Sequence, residues 1–497
     1  MKPLQLILFL LLTTNLLFGQ QNEDPLQGID QDIEFLWKAY EAAGLSVAVV
    51  KDDQIVYAKG FGYRDVEQAL PVTPDTKFPI ASVSKAFTAS LLGILESEGK
   101  VSLTEKPSSY IPKLQFHTDE MNNLIQIEDL LSHKSGIGGV NGTLVLFPET
   151  DKLKTMSKLK YIALEGAVND SWIYSNMGYT VAGTVVEQVA EESWDSYLEK
   201  SIFQPLKMTN SLTSLQQLKN SDNFACGYGL LAEKNHKTPY EEYYSYAPAG
   251  GIKSTANDLS NWVITWLNQG KFAGQQILPA DYVKNASSIH NIRPQGGADA
   301  DTYLFGDGFG WRVESLHGHY KVHHGGNTSG FSTHVVMFPF SKVGIIVLVN
   351  QENSLLPYMI THRIASKMLD FPQAKLAEYP VIISELNTID KEIKGVNLDK
   401  KPSFALSGFI GKYNHPGYGT FEVVQEKEAL YIVFPALKFG LEHIHYNTFR
   451  MRGLDENSRI INPEYFELDF LIDKAGNVGS VEMNLQSEPV EFIKKEN

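Results

Sequence analysis

From Ile29 to Ala43 apolar residues recur at helical spacing, and the stripe predicts an amphipathic helix. Two strand-like runs follow, Leu45 to Val50 and Gln54 to Phe61, joined at Asp52-Asp53 as a β-hairpin. Ala86-Phe87, Leu91-Leu92 and Ile94-Leu95 then place an apolar face on a long helix that opens at Ser82. Val181 to Val189 predicts another apolar helix, and the chain stays helical and loop-rich to about Leu267. Phe309 to Val313, Tyr320 to His323, Thr333 to Phe338 and Val343 to Asn350 predict antiparallel strands, and Leu355 to Leu369 a closing helix. The pattern permits the first and last strands to share one sheet, with a helical subdomain inserted between them.

The texture changes near both ends. Residues 371–402 read as a linker with a short charged helix. From Ser403 apolar and polar residues alternate through Gly411-Lys412-Tyr413, Leu430 to Phe434, Tyr465 to Ile472 and Val478 to Leu485, with Asp473 to Asn477 as a turn. This predicts a small antiparallel β-domain over 403–497, a half-open barrel. At the start, Lys2, the apolar run Leu4 to Leu12 and the small Gly19 read as a secretory signal over 1–20. An uncleaved anchor is the alternative; once the signal is removed no stable membrane span is expected. The expected location is secreted or periplasmic.

Composition narrows the picture further. The chain has 497 residues, 43% hydrophobic and 20% charged, which fits more than one globular domain. A net charge of -15 argues against nucleic acid as a partner, since phosphate binding needs a basic face. Cys226 is the single cysteine, so no intrachain disulfide can form; it reads as a small buried hydrophobe. His317, His319, His323 and His324 crowd together but lack the helical pairs or cysteine partners of zinc sites, so no metal is expected. In a strand, His317 and His319 would share a face opposite His324. His133 reads as a packed turn residue, and Tyr243, Tyr244 and Tyr246 as candidates to line a cleft.

Three short segments carry candidate chemistry. In Ser82-Val83-Ser84-Lys85 a hydroxyl and an amine three residues apart face each other on a helix. An apolar surround would disfavour the charged lysine and free its amine as a base. Two other matches, Ser97 to Lys100 and Ser157 to Lys160, lie in polar surroundings and read as surface. Tyr174-Ser175-Asn176 stands at the mouth of the helix through Val181. There a phenol can pass a proton and an amide can grip a substrate amide. His324-Gly325-Gly326-Asn327 leads into Gly330-Phe331, where glycines let a substrate lie against bare backbone. His323-His324-Gly325 fits the same pattern, one residue earlier.

In this order the motifs resemble those of the penicillin-recognising serine hydrolases of the class C β-lactamase type. These include β-lactamases, DD-peptidases, D-aminopeptidases and esterases. Their Ser-x-x-Lys, Tyr-x-Asn and Lys/His-x-Gly elements match Ser82 to Lys85, Tyr174 to Asn176 and His324 to Gly326. Ile127 to Gly136 and Pro248 to Leu259 are similar to flanking segments of the family, and the resemblance runs from about Gly44 to about Asp370. The register starting at His324 is preferred because it sets Gly330-Phe331 at the family's usual distance. The implied fold is α+β. An antiparallel sheet is flanked by helices and carries a helical subdomain (hydrolase domain 21–370). The β-domain resembles the lipocalin-like appendage of some relatives, as packing or as a wall of the cleft.

The resemblance implies an acyl-enzyme mechanism with Ser82 as nucleophile and Lys85 and Tyr174 as the proton-handling pair. Which of the two is the working base is left open. Backbone N–H groups of Ser82 and Asn327 would bind the oxyanion, and Asn176 the acyl-side amide. No cofactor is implied. The expected partner is a small-molecule or peptide substrate, a β-lactam, D-amino-acid peptide or ester; the oligomeric state is not set. Where family members carry a third-motif lysine, His324 is mostly neutral at pH 7, which implies weaker selection for free carboxylates. The alternative function is a non-turning-over protein that binds or senses cell-wall peptides or β-lactams.

Overall fold

The computed structural model describes residues 24–495, except 139–145, 232–233, 243, 295–298, 373–374, 377–399, 455–465 and 487. The expected signal, most of the expected linker, Tyr243 and Tyr465 lie outside these residues. Among the described residues no helix is long and apolar enough to cross a membrane.

The amphipathic run at the start forms helix α1 (Ile29–Ala39), which buries Ile29, Ile33 and Leu36. Strands β1 (Gly44–Lys51) and β2 (Gln54–Asp65) follow as a hairpin, with Asp52 and Asp53 both at positive φ. A short strand β3 (Leu70–Pro71) leads to helix α2 (Ser84–Ser97) and later α3 (Asn176–Ala190) and α4 (Ala256–Leu267). Six strands complete the sheet: β4 (Asn291–Ile292), β5 (Phe305–Asp307), β6 (Arg312–Leu316), β7 (His319–Thr328), β8 (Phe331–Phe338) and β9 (Val343–Val349). Helix α5 (Leu356–Leu369) closes this part of the chain.

The nine strands are antiparallel in the order β4-β5-β6-β7-β8-β9-β1-β2-β3. The first strand therefore pairs with the last, Val47 opposite Val347, and the helical part is inserted between them. Alternation along the strands explains why β1 and β9 are apolar at nearly every position. Leu45, Val47 and Val49 share one core with α1 and α5. Ala48, Val50, Ile346 and Leu348 share another with Phe87 and Leu91 of α2 and Trp262 of α4. A strand covered on both faces has no solvent side to keep polar.

Two expectations shift in register. The strand expected at Phe309 to Val313 begins only at Arg312, because Gly310 sits at φ +73 and turns the chain. His317 is not in a strand either. It has φ +47 and forms the turn between β6 and β7 with Gly318, yet its ring and that of His319 both meet Phe371, so the two still lie on one side.

The C-terminal alternation builds a closed barrel rather than a half-open one. Its strands are β10 (Gly411–His415), β11 (Gly419–Glu426), β12 (Ala429–Val433), β13 (Lys438–His445), β14 (Thr448–Arg452), β15 (Glu467–Ile472), β16 (Val478–Met483) and β17 (Val490–Lys494). Pairing of Tyr413 with Lys494 and of Asn414 with Ile493 closes it. Phe409, Tyr413, Phe421, Phe449, Phe470 and Phe492 fill it as edge and stacked ring pairs. Phe147 of the helical part meets Phe434 of the barrel at 5.2 Å between ring centroids.

Gly310 also lets the sheet approach α2. A Cβ there would lie 2.6 Å from the Ala86 Cα. Gly310→Ala is expected to lose about 1–3 kcal/mol from its backbone conformation alone, and more from the clash. Urea denaturation followed by tryptophan fluorescence checks this; an unchanged midpoint would contradict it.

Candidate active site

The turn Ala81–Val83 is a single 3-10 turn, and the α-helix starts one residue later at Ser84. Ser82 thus stands just ahead of α2 rather than on its first α-helical turn. The turn is fastened from both sides. The Ile80 N–H donates to the Ile252 carbonyl (3.0 Å), and the Ile80 carbonyl accepts from Thr333 Oγ1 (3.2 Å) on β8. Gly326 permits this seat, since a Cβ there would lie 2.2 Å from the Ile80 oxygen and 2.4 Å from Thr333 Oγ1.

Lys85 is fully buried on the first turn of α2. Its Nζ lies 2.6 Å from Asn176 Oδ1, 2.8 Å from the Ala249 carbonyl and 3.2 Å from Ser82 Oγ. None of the three is charged. Loss of hydration, then the field of Arg312, holds this amine well below the ordinary lysine range. A neutral amine has two hydrogens and one lone pair. The hydrogens suit the two shorter contacts, which leaves the lone pair toward the Ser82 hydroxyl. The Ala249 carbonyl is aimed by its own segment: Thr88 Oγ1 donates to the Pro248 carbonyl (2.7 Å), and the Ile252 N–H donates to Ser84 Oγ (3.1 Å).

Ser175, not Asn176, caps α3, accepting from the Gly178 N–H (2.9 Å). Asn176 becomes the first helical residue, with its oxygen on Lys85. Tyr174 precedes the cap and hydrogen-bonds Ser82. Its ring centroid is 4.9 Å from Lys85 Nζ and 4.4 Å from the His133 ring. Burial pushes the phenol up to about 12, so it stays protonated at neutral pH. His133 is buried, and its Nδ1 accepts from the Ser175 N–H at 3.1 Å. Burial, then Lys85 and Arg312, push its pKa well down, in keeping with an accepting Nδ1. The packed-turn reading of His133 therefore holds, with a direct bearing on Tyr174.

Strand alternation decides between the two histidines. His323 turns to the face where it meets His334 (Nδ1 to Nε2, 2.9 Å) and Glu314 (3.3 Å). His324 turns to the other face, 6.4 Å from Tyr174 between ring centroids. Burial, then Arg312 and Lys85, hold it well below the usual imidazole range, so it is neutral. Thr328 and Phe331 close β7 and β8 across a two-residue turn, which makes them a hydrogen-bonded pair. By alternation the Asn327 N–H points away from β8, along the open edge of β7 where β6 has already ended. The Asn327 side chain turns aside, accepting from Ser332 Oγ (2.9 Å) and the Asn353 N–H (3.0 Å).

The structure thus gathers Ser82, Lys85, Tyr174, Asn176, His324, Gly326 and the Asn327 backbone at one place. Among the described residues no cluster of three histidine, cysteine or acidic side chains could hold a metal. Tyr246 is buried beside the Ala247–Gly250 turn. Cys226 is buried against Asp65 (3.3 Å). One residue escaped the sequence reading. Arg312 at the start of β6 is the cation felt by Lys85, His133, Tyr174 and His324 alike. Its segment, Gly310-Trp311-Arg312-Val313, gives no motif; only the pairing of Arg312 with His323 brings it here.

A serine, a buried lysine and a phenol between an antiparallel sheet and a helical lobe define the penicillin-recognising serine-hydrolase class. Residues 29–365 match the family described as Beta-lactamase, and the chain belongs to that family. Residues 397–496 match a domain of unknown function, DUF3471. Protein flp of Staphylococcus aureus (strain N315) is 28% identical over 345 residues, 68% of this chain and 66% of that protein. The chain therefore spans just under two thirds of the length of these staphylococcal relatives. Penicillin-binding protein 4* of Bacillus subtilis (strain 168) is 22% identical over 405 residues, 78% of this chain and 83% of that protein. Two solved structures share the fold. The octameric penicillin-binding protein homologue from Pyrococcus abyssi gives a TM-score of 0.63 at 22% identity, covering 94% of this chain and 100% of its own. A class C beta-lactamase gives 0.57 at 21%, covering 71% and 97%.

His133→Leu leaves the buried Ser175 N–H unpaired, which costs about 1–3 kcal/mol. The wild-type histidine is neutral when folded, so acid charges it only in the unfolded chain. Its contribution is whole above about pH 6.5 and is lost as pH falls, at about 1.4 kcal/mol per pH unit. Denaturation at pH 7 and pH 5 should show the deficit of the variant shrinking by roughly 1–2 kcal/mol at the lower pH. A deficit independent of pH would contradict the neutral assignment.

Proposed function

We propose that the protein is a serine hydrolase that cleaves amide or ester bonds through an acyl-enzyme on Ser82. The observation that carries this reading is the Lys85 amine, fully buried among neutral acceptors and 3.2 Å from the Ser82 hydroxyl. Lys85 is the working base: its environment favours the neutral form, whereas a phenol at about 12 is too weak an acid to stand ionised at pH 7.

In the first step the Ser82 proton passes to Lys85 Nζ as Oγ attacks the substrate carbonyl. The N–H groups of Ser82 and Asn327 hold the oxyanion, and Asn176 holds the acyl-side amide. Collapse breaks the bond to the leaving group, which takes a proton from Tyr174. The phenol is refilled from the lysine, and water then releases the acyl group by the same route. The substrate classes that suit this site are β-lactams, D-amino-acid peptides and esters. The proposed setting is outside the cytoplasm, on the strength of the signal-like residues 1–20. Residues 21–370 act as the hydrolase unit, and residues 403–497 pack beside it.

An active-site label tests the assignment. A fluorophosphonate should tag the wild type and leave Ser82→Ala untagged; slow tagging without turnover of any ester or peptide would favour a binding protein. A pH profile tests the base. kcat/KM should rise through an acid limb well below the ordinary lysine range and show no alkaline fall before about pH 10. Tyr174→Phe should lower kcat by roughly 10²–10⁴ while the acid limb stays in place. A limb that vanished with the phenol would move the base to Tyr174.

A further inference from the structure

A groove of about 780 Å³ lies apart from the candidate active site, and none of Ser82, Lys85, Tyr174, Asn176 or His324 borders it. Its size falls in the range of roughly 300–1,000 Å³ usual for small-molecule sites. Val322 of β7 and Met337 of β8, paired directly across the sheet, form its floor. One wall is the end of α4, with Trp266 and Leu267; the other is the short helix Ala280–Ala286, through Val283. These five side chains are at most 5% exposed, yet all border the open space. The groove runs along the strands to Tyr320 and the turn Pro339–Ser341. There Phe340 stands 86% exposed, its ring 5.6 Å from that of Tyr320. An apolar trench of this kind is a poor seat for water.

The polar groups around the trench lack an acceptor. Among the described residues the buried indoles of Trp262, Trp266 and Trp311 have no partner for their N–H, and of these Trp266 borders the groove. The exposed Lys284 ammonium on the rim makes no hydrogen bond or ion pair among the described residues either. Lys342 donates to neutral oxygens, the Leu267 carbonyl and Asn268 Oδ1, so its charge is not cancelled there. Ser287 and Ser288 direct their hydroxyl hydrogens to the Val283 and Lys284 carbonyls. Asp281, one turn before Lys284, is the single acid among the described residues on the rim. Two cations and an unpaired indole N–H thus face one exposed carboxylate, a balance that favours an anionic head group.

We propose that this groove binds a single-chain carboxylate, with its acyl chain on Val322 and Met337 and its head group met by Lys284, Lys342 and the Trp266 N–H. The exposed Phe340 ring then gains an apolar partner, and the buried indole gains its acceptor. The site makes no use of Ser82 and is independent of acyl transfer. It is also not remote from the catalytic helix. Trp266 packs edge-on to Trp311 at 5.2 Å, and Trp311 follows Gly310, whose Cα hydrogen side rests on Ala86 of α2. Tryptophan fluorescence therefore reports occupancy of the groove.

The full chain is titrated with octanoate and dodecanoate below their micelle concentrations, by calorimetry and by tryptophan fluorescence. Dodecanoate should bind one to one and at least about tenfold more tightly than octanoate, since each buried CH₂ is worth roughly fourfold. Dodecyltrimethylammonium, the same chain with the opposite charge, should bind at least about tenfold more weakly than dodecanoate. Lys284→Glu should weaken dodecanoate at least about fivefold without moving the urea midpoint. Trp266→Phe should weaken it a few-fold, and Val283→Trp, which fills the trench, should abolish binding. If Val283→Trp fails to fold, the exposed Lys284→Glu decides. No saturable binding, equal binding of the two head groups, or an affinity unchanged by both Lys284→Glu and Trp266→Phe overturns the proposal. So does a ligand-free dimer that Phe340→Ser dissociates, because a second copy of the chain would then fill the groove.

Discussion

Everything at this site depends on one buried amine. Among the described residues no carboxylate contacts Lys85, which sits between the oxygen of Asn176, the Ala249 carbonyl and the Ser82 hydroxyl. An ion pair would hold such a lysine charged; neutral acceptors and lost hydration do the opposite. Three separate stretches of chain must meet to build that environment, and each is fixed by its own hydrogen bonds. The Ser175 cap sets Asn176, the contacts of Thr88 and Ser84 set the 248–252 segment, and Thr333 and Ile252 set the turn before α2.

The sheet supplies the second requirement, close approach. Gly326 lets the Ser82 turn rest on β7, Gly310 lets β6 come up to α2, and Gly325 lets the Tyr358 hydroxyl seat against the opposite face of β7. A methyl group at any of the three would meet another atom well inside van der Waals distance. Their conformational freedom matters less than their missing side chains, except at Gly310, where φ is also positive. The two-faced burial of β1 and β9 gives this arrangement a stiff support, since both faces are packed against helices.

The barrel touches the helical part through aromatic contacts. Phe147 packs on Phe434, and the barrel turn at Gly417 and Gly419 lies against Ile162 and Phe147. The Tyr418 phenol of that turn feels the Glu165 carboxylate, and a Cβ on Gly138 would meet both that carboxylate and Ile173, the residue before Tyr174. The appended domain is thus continuous in packing with the lobe that carries the phenol.

Much of this was legible in the chain before any coordinates. Alternation and helical spacing predicted the hairpin, the closing strands, the flanking helices and a C-terminal β-domain, because burial on a given face leaves a period in the sequence. The Ser82, Tyr174 and His324 segments were legible as chemistry because their residue types and order are local facts. What the sequence could not decide is what depends on pairing between distant strands. The contact of His323 with His334 and Glu314, the closure of the barrel through Tyr413 and Lys494, and the arrival of Arg312 opposite His323 all follow from register. A register is a property of two segments at once, and a one-residue slip sends every side chain to the other face. Local patterning therefore determined which groups this protein carries, and tertiary packing alone decided which of them meet and with what charge.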